Sequence, residues 1–215
     1  DLHPEALEYL RADLPMQVGP DSYLQLVRSI KSAVSIPVIA SINCINPDQW
    51  VSFARKVESA GADALELNVY DIPDSAAVTS QSLENRHTAL LGAVLNQVRL
   101  PVAVKLGPYY SALMHLAARF DGLGAAGLVL FNRFFQPDID TETLSLRNEV
   151  NLSRPQDLRL PLRWVAILRD RVKCDLALSG GVHDAKGAIK AILAGASVVQ
   201  MCSAFYLRDG FEVIE

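Results

Sequence analysis

Three polar side chains stand where apolar runs would otherwise continue: Asn68 in ELNVY, Lys105 in AVKLGP and Asn132 in LFNRF. An ammonium inside an apolar strand is costly unless it meets an anion. Lys105 therefore predicts either a structural ion pair with Glu66 or a partner for an anionic ligand, or for a cofactor that becomes anionic on reduction. Two carboxamides offer donors and acceptors to the edge of a flat heterocycle. Asn43, near Ser41 at the end of an earlier run, joins them as a substrate-binding candidate.

A second constellation lies near the carboxyl terminus, in Ser179-Gly180-Gly181-Val182-His183 and in Cys202-Ser203-Ala204. Each follows an apolar run and opens a helical stretch. Glycines let a backbone approach a ligand, and amides exposed at such a turn suit a phosphate. His183 reads equally as a phosphate contact or a solvated loop residue. Asp71 and Tyr70 follow Asn68 in a loop and are candidate acid–base groups, although an aspartate there also suits a turn. His87, His115 and His3 read as helix-surface or tail residues, and Cys44 lies near the site by position.

The elements that position these residues alternate between strand and helix. Strands are predicted at 37–43, 64–69, 101–106, 126–131, 174–179 and 196–201, short and often β-branched. Helices are predicted at 20–34, 47–60, 82–98, 110–123, 158–171 and 184–194. Gly-Ala pairs at 61–62, 124–125 and 195–196 stop three of them. This alternation requires parallel strands joined by right-handed crossovers.

Period-two register then chooses a barrel over an open sheet. Ile39, Ser41, Asn43, Glu66, Asn68, Ala103, Lys105, Ala177 and Ser179 fall on one face, with Asn132 placed there just past its strand. Val38, Ala40, Ile42, Leu65, Leu67, Val69, Val102, Val104, Leu106, Leu176 and Leu178 fall on the other. One face is apolar. The other turns polar towards the carboxyl ends, as in a TIM (β/α)8 barrel. The expectation is one barrel domain over 1–215. Its first two strands would precede residue 1, its last two would be the seventh and eighth, and a closing helix would follow Glu215. A six-stranded variant is the alternative.

Composition narrows the function. A net charge of −4 disfavours nucleic acid and anionic membranes as partners. The three cysteines are far apart, which fits a reducing, cytoplasmic setting, and they show no zinc spacing with the histidines. No apolar run reaches the about 20 residues of a membrane span, and no signal peptide is visible.

The stretches ELN, VAVKLGPYY, LVLFNR and LSGGVHDAKGAIKAILAGASVVQMCSA together resemble the dihydroorotate dehydrogenase family of flavin-dependent barrels, over about residues 37–210. FNRFFQPDID and LRLPLRW are closest to its bacterial dihydroorotate dehydrogenase-like subgroup. The resemblance implies FMN, pyrimidine-type chemistry and a small-molecule substrate. Lys105 would meet the pyrimidine edge of the flavin, with Asn68 and Asn132 lining the ring and substrate pocket. Ser179, Gly180, Gly181, Cys202, Ser203 and Ala204 would surround the phosphate. The family usually carries S-C-P-N, or a serine base, in the loop after ELN. Here the sequence reads ELNVYDIPD, and Asp71 takes the cysteine's place. The implied activity is hydride transfer between a dihydropyrimidine-like substrate and flavin. Alternatives are a flavin-free isomerase or lyase that grips phosphate, a non-catalytic flavin module, and a tRNA-reducing relative, which the acidic balance disfavours. A homodimer or an electron-transfer partner is left open.

Overall fold

The computed structural model describes residues 19–43, 47–69, 71–134, 136–147 and 151–207. The strands are β1 (Ile39–Ile42), β2 (Ala64–Asn68), β3 (Val102–Leu106), β4 (Gly127–Leu130), β5 (Asp138–Asp140), β6 (Ser145–Arg147), β7 (Asp175–Ser179) and β8 (Val198–Gln200). The helices are α1 (Pro20–Ala33), α2 (Pro47–Ser59), α3 (Ser80–Leu95), α4 (Leu113–Leu123), α5 (Arg159–Leu168), α6 (Ala185–Ala194) and α7 (Ser203–Leu207), with a 3-10 turn at Pro155–Leu158. Six strands form one parallel sheet in the order β1-β2-β3-β4-β7-β8.

The six parallel strands and their intervening helices match the expected alternation. The hairpin β5–β6 was not expected. It is antiparallel, with Ile139 opposite Leu146, and both are largely exposed. Its charged tip and short strands carry none of the apolar periodicity that marks a buried element.

The sheet is curled. On a flat sheet, the four strand spacings from β2 to β8 would span about 19 Å. Yet the Gln200 amide on β8 donates to Glu66 Oε2 on β2 at 2.6 Å. Only a concave sheet brings those side chains together, so the parallel strands form part of a (β/α) barrel wall. The convex face is dry: Leu65, Leu67, Val102, Val104, Leu106, Leu128, Leu130 and Leu178 are fully buried under the helices. At about 25 cal/mol per Å2 of apolar surface removed from water, each such side chain contributes about 1.5–3 kcal/mol.

Local chemistry explains the element ends. Thr79 and Ser82 form a reciprocal capping box that starts α3 at Ser80, earlier than apolar periodicity alone suggests. Helices α4 and α6 stop at Gly124 and Gly195, both left-handed. Across the strand starts, Asp63 accepts from the Val38 N–H at 2.7 Å and pairs with Lys31. The hydrogen bonds from Lys31 and Val38 hold its carboxyl below the usual range.

Asp121 on α4 plays a matching role at the start of β7. Its Oδ1 accepts from the Lys173 and Cys174 N–H groups at 3.0 and 2.8 Å. Burial and the Asp121 carboxylate push the neighbouring Cys174 thiol up to about 12, so it is no thiolate nucleophile. Replacing Asp121 by alanine leaves two strand-entry amides without their acceptor. We expect Asp121→Ala to lose about 1–3 kcal/mol in urea unfolding, and Asp121→Asn to recover part of it. Unchanged midpoints would contradict this role.

Candidate active site at the carboxyl ends of the strands

The concave face carries a polar seam built by four strands. Glu66 is 3% exposed, a costly place for a carboxylate. Ser41 donates to its Oε1 at 2.7 Å, Gln200 donates to its Oε2, and Lys105 Nζ lies 3.6 Å away. Lys105 also donates to Gln200 Oε1 at 3.0 Å. The seam climbs: Asn68 pairs in register with Lys105, one row above Glu66, and Gln200 pairs with Ser179 one row higher. Such stagger accompanies strand tilt in a barrel.

The lysine thus faces the barrel interior and makes the structural ion pair that was one of its two readings. The pair does not exhaust it, because an ammonium has three donors. Beside it, Asn68 Oδ1 is buried without a hydrogen-bond partner among the described residues. A buried acceptor left unpaired costs about 1–3 kcal/mol, and this one sits at the strand end where a ligand edge could satisfy it.

Gln200 was absent from the sequence candidates, although alternation from Val198 to Gln200 places it on the concave face. Ser41 shares that face. Asn43 follows β1 and is exposed. Asn132 departs from its expected register. Strand parity groups Gly127 and Val129 with the concave residues, and Leu128 and Leu130 with the helix-covered ones. Asn132 lies past the strand end, half-buried, and its N–H is bonded to the Leu106 carbonyl at 2.7 Å. Its position beside the end of β3 comes from the β4 loop, not from alternation along β4.

The two turns expected to grip an anion are neighbours, because β7 and β8 pair through Ala177–Val198 and Ser179–Gln200. Gly180 and Gly181 have φ of 97° and 74°. Their surroundings differ. A Cβ on Gly180 would meet nothing within 4 Å, whereas one on Gly181 would sit 2.2 Å from the Leu158 nitrogen. The missing side chain of Gly181 therefore admits the 3-10 turn at Pro155–Leu158. Its amide donates to Ser153 Oγ at 3.3 Å, and Ser203 Oγ accepts from the Ser153 N–H at 2.9 Å. Ser153 fastens both turns together.

Nothing local in NLSRPQ marks Ser153 for this task; its neighbours are distant in sequence. His183 is buried, with Nε2 3.4 Å from Ser153 Oγ, so the solvated-loop reading fails. Asp184 caps α6 by accepting from the Gly187 N–H at 2.7 Å. Cys202 is exposed and Ala204 is buried. Cys44, Tyr70 and His3 lie outside the described residues.

Asp71 is half-buried, and its side chain is held by ionic partners on a helix. It pairs with Arg86, and His87 Nε2 lies 3.4 Å from its Oδ2. Burial opposes its charge, but the His87 hydrogen bond and the Arg86 guanidinium outweigh burial and hold the carboxyl below its ordinary value. His87 is 3% exposed, which corrects its placement on a helix surface. Its Nδ1 meets the Tyr110 hydroxyl at 3.0 Å. Asp71 and Tyr110 line a cleft of about 300 Å3 between the loops after β2 and β3, walled by Val69, Ile72, Pro73 and Phe134 among others. Gly107 makes room for the Phe134 ring, which lies 2.7 Å from where a Cβ would stand.

Together these features define a parallel (β/α) barrel whose carboxyl-end rim carries a cation, an unpaired amide oxygen and two adjoined turns. The dihydroorotate dehydrogenase family model matches residues 16–215. A protein of Aeropyrum pernix assigned to dihydroorotate dehydrogenase A (fumarate) is 34% identical over 194 residues, covering 84% of this chain and 60% of the relative. The dihydroorotate dehydrogenase B (NAD(+)) catalytic subunit of Thermoplasma acidophilum is 27% identical, covering 87% and 63%. A dihydroorotate dehydrogenase A (fumarate) of Lactobacillus delbrueckii is 28% identical, covering 80% and 58%. The chain belongs to the dihydroorotate dehydrogenase family, and it spans about 60% of the length of these curated relatives.

Two expectations follow for the site. Gly181→Ala forces a Cβ into the backbone of the 3-10 turn at a left-handed φ, and should cost about 3 kcal/mol or more. Gly180→Ala meets open space and should cost only the left-handed strain of about 1–2 kcal/mol. Equal losses on thermal melting would refute the asymmetry. The depressed Asp71 carboxyl contributes stability in full above its unfolded value of about 3.9, and that contribution is lost as pH falls through the lower folded value. Melting temperature followed from pH 7 to pH 2 should therefore fall less steeply below about pH 4 in Asp71→Asn than in the wild type. Superimposable acid limbs would contradict it.

Proposed function

We propose that the protein is an FMN-dependent oxidoreductase that moves a hydride between a small, dihydropyrimidine-like substrate and flavin. The observation that carries this reading is the juxtaposition at the rim: a buried Asn68 Oδ1 without a partner among the described residues, register-paired with a lysine that has donors to spare. Those groups fit the donor and acceptor edge of a flavin ring. FMN, when bound, supplies a two-electron hydride acceptor.

The chain's own residues have separable tasks. Lys105 would place a positive charge against the edge of a bound ring, and Glu66 with Gln200 keeps the ammonium aimed. Asn68, Asn132 and Asn43 bind the ring and substrate by hydrogen bonds. Gly180, with open space before it, and the backbone of Ser179, Gly181, Cys202, Ser203 and Ala204 seat the phosphate. Asp71 and Tyr70, in the loop after β2 where the family resemblance implies a cysteine, mark the side of the site at which the proton is exchanged. Membership of a family whose relatives are named for dihydroorotate oxidation supports the substrate class.

Purified full-length protein titrated with FMN tests the proposal. We expect bound flavin with quenched fluorescence and a shifted visible spectrum. Lys105→Ala should weaken FMN by about 10- to 100-fold, the equivalent of a charged hydrogen bond of about 1.5–3 kcal/mol. A wild-type protein that takes up no FMN would overturn the reading in favour of a flavin-free phosphate-binding barrel.

A further inference from the structure

The carboxylate in the loop after β2 is poorly placed to take a proton itself. Asp71 is anchored by Arg86 and by His87, and both partners favour its ionised form. The chain of contacts continues. With Asp71 as an acceptor, His87 Nε2 carries the hydrogen and donates, which leaves Nδ1 as an acceptor. The Tyr110 hydroxyl, 3.0 Å away, then donates to Nδ1. Asp71, His87 and Tyr110 come from the β2 loop, helix α3 and the β3 loop. They line up from an anchored anion to a phenol at the wall of the cleft.

The burial of the imidazole matters here. His87 is 3% exposed and touches the Tyr110 ring edge-on, with centroids 6.0 Å apart. An imidazolium formed there would face the Asp71 carboxylate, and Glu84 and Arg119 complete the charged groups nearby. Burial, then the carboxylates of Asp71 and Glu84, hold the Tyr110 hydroxyl well above its ordinary range. A free tyrosinate is therefore disfavoured, and the phenol oxygen can take a proton only as its own proton leaves towards His87. The rest of the cleft wall is mainly apolar, with Val69, Ile72, Pro73, Leu83 and Phe134.

We infer that Tyr110 is the residue that exchanges the substrate's proton in this chain, with His87 and Asp71 as the positioning residues behind it. The inference rests on the flavin-dependent reading above. In the oxidative direction one substrate C–H bond gives up a hydride to FMN, which is reduced by two electrons. The adjacent C–H bond gives its proton to Tyr110 Oη, and its electron pair becomes the new C=C bond. The Tyr110 hydroxyl proton passes to His87 Nδ1, and the resulting imidazolium is held by Asp71. Reduction runs the same transfers backwards.

The test uses the full-length, FMN-loaded protein, mixed anaerobically with dihydroorotate and separately with dihydrouracil, with flavin bleaching as the signal. Tyr110→Phe should slow bleaching by at least about 100-fold, the usual scale of general acid–base catalysis, with FMN affinity unchanged. His87→Gln should slow it by about 10- to 100-fold. In addition, nitrogen-15 spectra of the histidines in the flavin-free protein should show His87 as the Nε2–H tautomer, and Asp71→Asn should move that resonance. Bleaching in Tyr110→Phe within about threefold of wild type overturns the inference, as does an Nδ1–H tautomer of His87. If wild type binds FMN but neither compound bleaches it, the dihydropyrimidine reading fails instead, and the histidine spectrum alone decides whether the relay exists.

Discussion

A carboxylate withdrawn from water inside a curled sheet must be matched on every side, and in this protein Glu66 imposes that condition. Its two oxygens take Ser41 from β1 and Gln200 from β8, while Lys105 from β3 supplies the counter-charge. The contact between β2 and β8 exists only because the sheet curls. Removing one member of such a set leaves the others desolvated and unpaired, which typically costs about 3–5 kcal/mol. The seam therefore links curvature to chemistry: the same bonds that span the concave face aim the lysine.

The convex side was legible in the sequence because burial on both faces leaves long apolar runs and two-residue parity sorts them. Leu65, Leu67, Val102, Val104 and Leu106 lie where alternation puts them. Alternation served equally well for Glu66, Asn68 and Lys105 on the concave side. It fails at Asn132, because a strand's parity holds only while the strand continues, and β4 ends at Leu130. The hairpin of β5 and β6 escaped notice for a related reason: short exposed strands bury too little to show a period.

Long-range polar fastening was the least legible feature. Gly181 was singled out for a backbone that could approach a ligand, and its backbone does approach something closely: the chain at Asp157 and Leu158. Sequence shows that a Cβ is missing but not what fills the space. Ser153 joins partners 28 and 50 residues away, and no spacing rule connects them. His87 reads as a helix-surface histidine, and His183 reads equally as a phosphate contact or a solvated loop residue, because sequence does not show what packs against either ring. In the fold each is buried and has a defined partner at hydrogen-bonding range.

The loop after β2 carries a carboxyl, Asp71, and its surroundings fix what that group can do. A carboxyl and a thiol at one position are not equivalent. The thiol is a neutral group that gains reactivity by losing a proton, whereas a carboxyl is already ionised at neutral pH and gains basicity only through desolvation or like charge. Here the surroundings act the other way, since Arg86 and His87 stabilise the Asp71 anion beyond what burial removes. A carboxylate held in that state is a weak base and a strong electrostatic anchor. Its influence on the cleft is exerted through what it orients, and the group it orients is an otherwise buried imidazole whose second nitrogen faces a phenol.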